Sequence, residues 1–168
     1  MKKRLVPNFE LAFEHAEELT GFQLWKIANL WQRKMKETLD PLGVTPVQFL
    51  LLNSIATLNN QQSGAITQNR LAEFADCDKM MVSKVLRTLE ERKLVERRAH
   101  HSDTRSRSLF ITNKGMELLR TSSPVLLKTE SAFFEALGKK EKNLQKRFSK
   151  LLRFHNGQGS SPDDDSDD

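Results

Sequence analysis

Between Thr67 and Thr112 the apolar residues change their period from helical to strand-like, and that change restricts the folds open to the chain more than any other feature. Thr67 is suited to cap a short helix, 68 to about 75, with Leu71, Ala72 and Phe74 expected to face inward. A tight turn at 76–78 leads straight into a second helix, 78 to about 92. Projected at about 100° per residue, Val82, Val85, Leu86 and Leu89 gather on one side of it, and Met80, Ser83, Lys84, Arg87 and Glu91 lie opposite. One face packs and the other is left for a partner. Residues 94–98 and 107–112 then have strand composition and flank a polar stretch, 99–106, so they read as a hairpin with a long tip.

Helices are expected on both sides of this unit. Leu24, Ala28, Trp31 and Met35 recur at helical spacing within about 20–39, and Asp40, Pro41 and Gly43 end that run. Thr45 followed by Pro46 is an N-cap with proline at the first helical position. Val47, Leu50, Leu51, Ile55 and Leu58 form the expected buried stripe beyond it, up to a polar loop at 59–64. Thr112 caps a long helix to about 137 that Pro124 should kink, and a last helix covers about 139–154 with Leu144, Phe148, Leu151 and Leu152. Glycine, serine, proline and aspartate make up most of 156–168, an acidic tail expected to be disordered.

At 168 residues the chain is long enough to bury a core without staples. Its single cysteine, Cys77, fits a reducing compartment, and residues 5–11 are too polar for a secretion signal, so the expected location is cytoplasmic. The uncharged run 41–69 is broken by proline, asparagine and glutamine, which argues against a membrane span. The net charge of +5 includes five aspartates within 157–168, so the rest of the chain carries +10. A body that basic attracts polyanions, nucleic acid above all.

Two helices joined by a tight turn, the second with a polar and basic face, followed by a hairpin with arginines at its tip, have the order of a winged helix-turn-helix. Residues 79–107 hold nine Lys or Arg against four Asp or Glu. The major groove of DNA admits a helix, and the narrower minor groove admits a thin arginine-bearing loop. The run Leu94-Val95-Glu96-Arg97-Arg98, then Asp103-x-Arg105, then Leu109-Phe110-Ile111-Thr112-Asn113-Lys114-Gly115 resembles the wing of the MarR family in order and spacing. Thr45-Pro46-x-Gln48, Thr67-Gln68-x-x-Leu71-Ala72 and Val82-Ser83-Lys84 extend the match over about 10–155.

The resemblance implies that Ser83, Lys84 and Arg87 face the major groove, that Thr67 and Gln68 approach phosphates, and that Arg105 enters the minor groove with Asp103 orienting it. Lys79, Met80 and Arg107 complete the expected DNA-contacting set. The chain departs from the family at Lys93, where glycine is usual, and at Met80 and Met81, where serine or threonine is common. Met80 projects at the centre of the outward face and can meet a thymine methyl there. If helix packing rotates it toward the short preceding helix, it is instead a core residue.

Other signals carry less. Nothing around Cys77 would activate its thiolate, and the adjacent His100 and His101 lack the spacing of a zinc site, so neither a cofactor nor a metal is expected. No phosphate loop, metalloprotease motif or serine elbow points to an enzyme. The expected fold is mainly α: a winged helix-turn-helix domain over 1–155, with one β-hairpin wing. Within it, 45–112 binds DNA, and long N- and C-terminal helices, about 10–40 and 113–155, have apolar stripes that only a homodimer would cover. The function expected is sequence-specific binding of double-stranded DNA as a transcription regulator, a repressor at a pseudo-palindromic operator, open to a small-molecule effector of unknown identity. The alternative is a winged-helix protein-interaction module without DNA binding, whose recognition face should be uncharged or acidic rather than carry Lys84, Arg87 and Arg105.

Overall fold

A computed structural model describes residues 18–61, 65–100 and 103–157, with 99, 100 and 103–107 described by their backbone alone. The remainder of the expected acidic tail, from 158 onward, lies outside the described residues. The chain divides into two compact units, Met1–Thr129 and Glu130–Asp168. The first holds α1 (Thr20–Leu39), a 3-10 turn (Asp40–Leu42), α2 (Pro46–Asn60), α3 (Gln68–Phe74), α4 (Lys79–Glu91), and the antiparallel strands β1 (Val95–His100) and β2 (Asp103–Ile111). Helix α5 (Asn113–Phe134) crosses the boundary, and the second unit continues with a 3-10 segment (Glu135–Lys140) and α6 (Glu141–His155). No single helix among the described residues is long and apolar enough to cross a membrane.

The core of the first unit joins one face from each element between α2 and α5. Leu51, Leu52 and Ile55 of α2 meet Leu71 of α3, Val82, Leu86 and Leu89 of α4, Leu94 and Val95 at the start of the hairpin, and Leu109 of β2. Removing any one of these leucines to alanine would cost roughly 2–5 kcal/mol. Two expected core residues are outside it: Leu50 and Phe74 are exposed. Each sits about a third of a turn from the centre of its helix's buried face, so the true stripes are narrower than the sequence suggests. Helix α1 is also unlike its expected single stripe. Trp31, Ala28 and Met35 are half-buried, whereas Leu24, Trp25, Ile27 and Leu30 are exposed.

The hairpin is longer than its composition suggests. Backbone pairing runs from Val95 opposite Ile111 to Ala99 opposite Arg107, and after a register shift His100 pairs with Asp103. Residues 100–107 are all polar, so the apolar-polar alternation that marks a half-buried strand is missing from the sequence there. Two contacts anchor its base. Asn59, assigned to a loop by its composition, is instead in the last turn of α2, donates Nδ2 to the Leu109 carbonyl at 3.1 Å and accepts the Ile111 N–H at 3.0 Å. Ile66 donates its N–H to Ser108 Oγ and accepts the Leu109 N–H, which gives β2 a second backbone neighbour over one residue.

Helix α5 remains helical through Pro124 and breaks at Phe134, short of the expected 137. Its first turn is locked to the end of α4. Thr112 Oγ1 accepts the Gly115 N–H and donates to the carbonyls of Lys93 and Leu94, while Lys114 Nζ donates to the Arg92 carbonyl at 2.9 Å. Gly115 is required there, because a Cβ on it would lie 2.2 Å from the Leu94 carbonyl oxygen. At that same corner Leu94 N–H reaches the Leu89 carbonyl and Lys93 N–H the Glu90 carbonyl, a Schellman end to α4. Lys93 takes φ = +59° to make it, so the left-handed geometry persists although glycine is absent.

Two stability outcomes are expected. Lys93→Gly should raise the urea midpoint, because relief of left-handed strain of about 1–2 kcal/mol exceeds the extra chain entropy of glycine. A lower midpoint would mean that the exposed lysine contributes more than its backbone costs. Asn59→Leu should lower stability by about 1–3 kcal/mol through two orphaned backbone groups of β2, and an unchanged midpoint would contradict the anchoring role.

Candidate nucleic-acid interface

The turn between α3 and α4 decides which way α4 faces. Helix α3 ends as α4 does, with Cys77 N–H on the Ala72 carbonyl, Asp76 N–H on the Glu73 carbonyl, and Asp76 at φ = +49°. Asp78 then starts α4: its Oδ1 accepts the N–H groups of Met80 and Met81, each at 2.9 Å. From the first residue of α3, Gln68 Nε2 donates to the Lys79 carbonyl at 3.3 Å. With the turn pinned at three places, the buried side of α4 is set by Val82, Leu86 and Leu89.

The opposite side carries Met80, Lys84, Arg87 and Glu91, all exposed. Met80 is 82% exposed, which excludes its packing back onto α3 as core. Neither Lys84 nor Arg87 forms an ion pair among the described residues, so both charges are available to an anionic partner. Lys79 is exposed on one flank, and Ser83 is half-buried at the edge of the face.

The other expected site residues divide by location. Thr67 is exposed and caps α3 by accepting the Arg70 N–H at 3.2 Å, which leaves its hydroxyl proton free to donate outward. Gln68 is half-buried and already engaged with α4, so its first role here is to set the turn. Asp103, Arg105 and Arg107 stand on β2 by their backbone, and their side chains lie outside the described residues.

Several cations of the basic segment are already occupied. Arg97 Nε donates to Glu90 at 2.6 Å, Arg98 pairs with Glu96 and lies 5.6 Å from the centre of the Phe110 ring, and Arg92 Nη1 donates to Gln48 Oε1 at 3.1 Å. The last contact was not expected. Gln48 also accepts the Thr45 N–H while its own N–H reaches Thr45 Oγ1, a reciprocal capping box that doubles as a clamp on the end of α4. The signal was present in the spacing of Thr45 and Gln48, which is that of a capping box.

Cys77 is half-buried, and its thiol donates to the Ala75 carbonyl at 3.3 Å. Burial, and secondarily the neighbouring Asp76 carboxylate, push its pKa up, so it remains a protonated thiol rather than a nucleophile. No group of three metal-ligating side chains is assembled among the described residues.

A tight helix-turn-helix, its second helix presenting a cationic outer face, and an adjoining hairpin together form a winged arrangement that other proteins share. The model of the MarR family matches residues 44–106, from the N-terminal cap of α2 into the hairpin. An HTH-type transcriptional regulator of Bacillus subtilis (strain 168), YdcH, is 39% identical over 133 residues, which span 79% of this chain and 89% of YdcH. Among solved structures, the transcriptional repressor CouR bound to a 23-mer DNA duplex has a TM-score of 0.73 at 23% identity, over 83% of this chain and 96% of CouR. CouR from Rhodococcus jostii RHA1 bound to p-coumaroyl-CoA has a TM-score of 0.70 at 20% identity, over 84% of this chain and 94% of that one. These two likenesses are of fold. Taken with the sequence match to YdcH and the family model, they place the chain in the MarR family of winged helix-turn-helix transcription regulators.

Proposed function

We propose that the chain is a cytoplasmic homodimer that binds double-stranded DNA sequence-specifically and represses transcription at a pseudo-palindromic operator. It is read as a binding protein and not an enzyme. The observation that carries this is the outer face of α4: Lys84 and Arg87 are exposed and without ion-pair partners among the described residues, on a helix whose other face is fully committed to the core. An uncommitted cationic face about one helix wide fits the major groove. It also argues against the protein-interaction alternative, which calls for a neutral or acidic face.

In this reading 45–112 contacts DNA, with α4 in the major groove and Arg105, oriented by Asp103, in the adjacent minor groove. Lys79, Arg107, Thr67 and Gln68 contribute phosphate contacts, and Ser83 lines the edge of the base-reading face. The terminal segments, about 10–40 and 113–155, hold two copies together. Support comes from exposed apolar side chains on α1 (Phe22, Trp25, Leu30) and on α6 (Phe148, Leu151, Leu152), which a monomer leaves in water. Two-fold symmetry then sets the half-sites one helical turn apart, about 34–36 Å. The CouR complex with p-coumaroyl-CoA supports a small-molecule effector for this chain too, of a chemistry its own sequence leaves open.

Selection of fragments from a random duplex pool at fixed salt tests the reading, since a chain that enriches no sequence is not a sequence-specific regulator. Light scattering should report twice 19.3 kDa, and a clean monomer at micromolar concentration would remove the dimer. On the selected site, Lys84→Ala or Arg87→Ala should change base preference within the half-site by about 1–3 kcal/mol where the contact is bidentate to guanine. Arg105→Ala should weaken binding most on sites with A·T-rich flanks, where a narrow minor groove concentrates negative potential. Equal losses on all sequences for all three variants would contradict this division of roles.

A further inference from the structure

Met80 occupies a place that neither folding nor charge explains. It is the most exposed of the large apolar side chains on α4, at 82%, yet it lies one turn from Lys84 and two turns from Arg87 on the same outward stripe. Isolated apolar residues are common on protein surfaces, so exposure alone says little. The position says more. Met80 is in the first turn of α4, where Asp78 holds its N–H at 2.9 Å and so fixes the backbone from which the side chain projects. Side chains on a helix lean toward its N-terminus, and in helix-turn-helix docking the N-terminal part of the recognition helix meets the base edges. The one apolar group that a base edge presents in the major groove is the C5 methyl of thymine.

We propose that Met80 is a specificity-determining residue that packs its thioether against a thymine methyl within each half-site, while Lys84 and Arg87 carry the charge-dependent contacts around it. The proposal rests on the DNA-binding reading given above. An unbranched, polarizable side chain suits this contact, since it can follow the methyl as the helix settles in the groove.

The test uses the full chain and the duplex obtained by selection. Each thymine is replaced in turn by deoxyuridine, which lacks only the methyl, and affinity is measured at constant salt for the wild type, Met80→Ala, Met80→Leu and Lys84→Ala. For the wild type, one thymine per half-site should lose about fourfold in affinity on replacement, the equivalent of one buried methyl group. Met80→Ala should bind thymine and uracil alike at that position with an unchanged melting temperature. Met80→Leu should keep most of the discrimination, and Lys84→Ala should lose affinity yet keep it. If Met80→Ala discriminates as the wild type does, or if the wild type is indifferent to every replacement, the proposal is overturned while DNA binding stands. If the wild type binds no duplex in the pool, the DNA-binding reading falls and this one with it.

Discussion

The Leu94 carbonyl oxygen is the point on which the winged unit turns. It accepts the Thr112 N–H at 3.1 Å and the Thr112 hydroxyl at 3.2 Å, and it sits where any side chain on Gly115 would have to be. Through this one acceptor the end of α4, the start of β1, the end of β2 and the first turn of α5 share a corner. The carbonyls at the end of a helix lack intrahelical partners, and burying them unpaired is costly. Here the carbonyl of Arg92, which caps α4, and those of Lys93 and Leu94 just beyond it are met from the first turn of α5 and its cap, by Lys114 Nζ and by Thr112. The start of one helix is thus used to finish another. Gln48 holds the same end through the Arg92 guanidinium.

Much of this arrangement is legible in the chain. Thr45, Thr67, Asp78 and Thr112 all stand at or beside helix starts, and all four act as caps, because a short hydroxyl or carboxylate before an apolar periodic run has few other uses. The outward set on α4 was readable from period alone, since a helix with one strongly apolar face has its opposite face defined. The family-like Gln48 and Gln68 were readable as motif positions, but their tertiary partners were not. Both reach residues distant in sequence, and no local pattern encodes a contact of that kind.

Asn59, Leu50, Phe74 and the outer hairpin depart from their sequence patterns for related reasons. Asn59 looks like a turn residue because asparagine usually is one, yet a primary amide with one donor and one acceptor suited to a strand edge can serve as a side-chain surrogate for a neighbouring strand. Leu50 and Phe74 fall within the apolar stripes of their helices, though helix azimuth is decided by the whole set of buried neighbours and not by any one residue. The outer ladder of the hairpin leaves no mark in the sequence, because backbone pairing there proceeds through polar residues. Residue type is a good guide where burial governs, and a poor one where backbone hydrogen bonding governs.

The outer face of α4 has a consequence for how such a chain can change over generations. Met80, Lys84 and Arg87 are exposed and their side chains make no hydrogen bond or ion pair among the described residues, so substitutions there leave the corner at Leu94 and the core beneath untouched. Surface changes of that sort usually alter stability by less than about 0.5 kcal/mol. On the reading proposed above, residues that choose a partner are thereby separated from residues that hold the fold, and duplicated copies of the gene can drift toward new targets without first acquiring compensating stability.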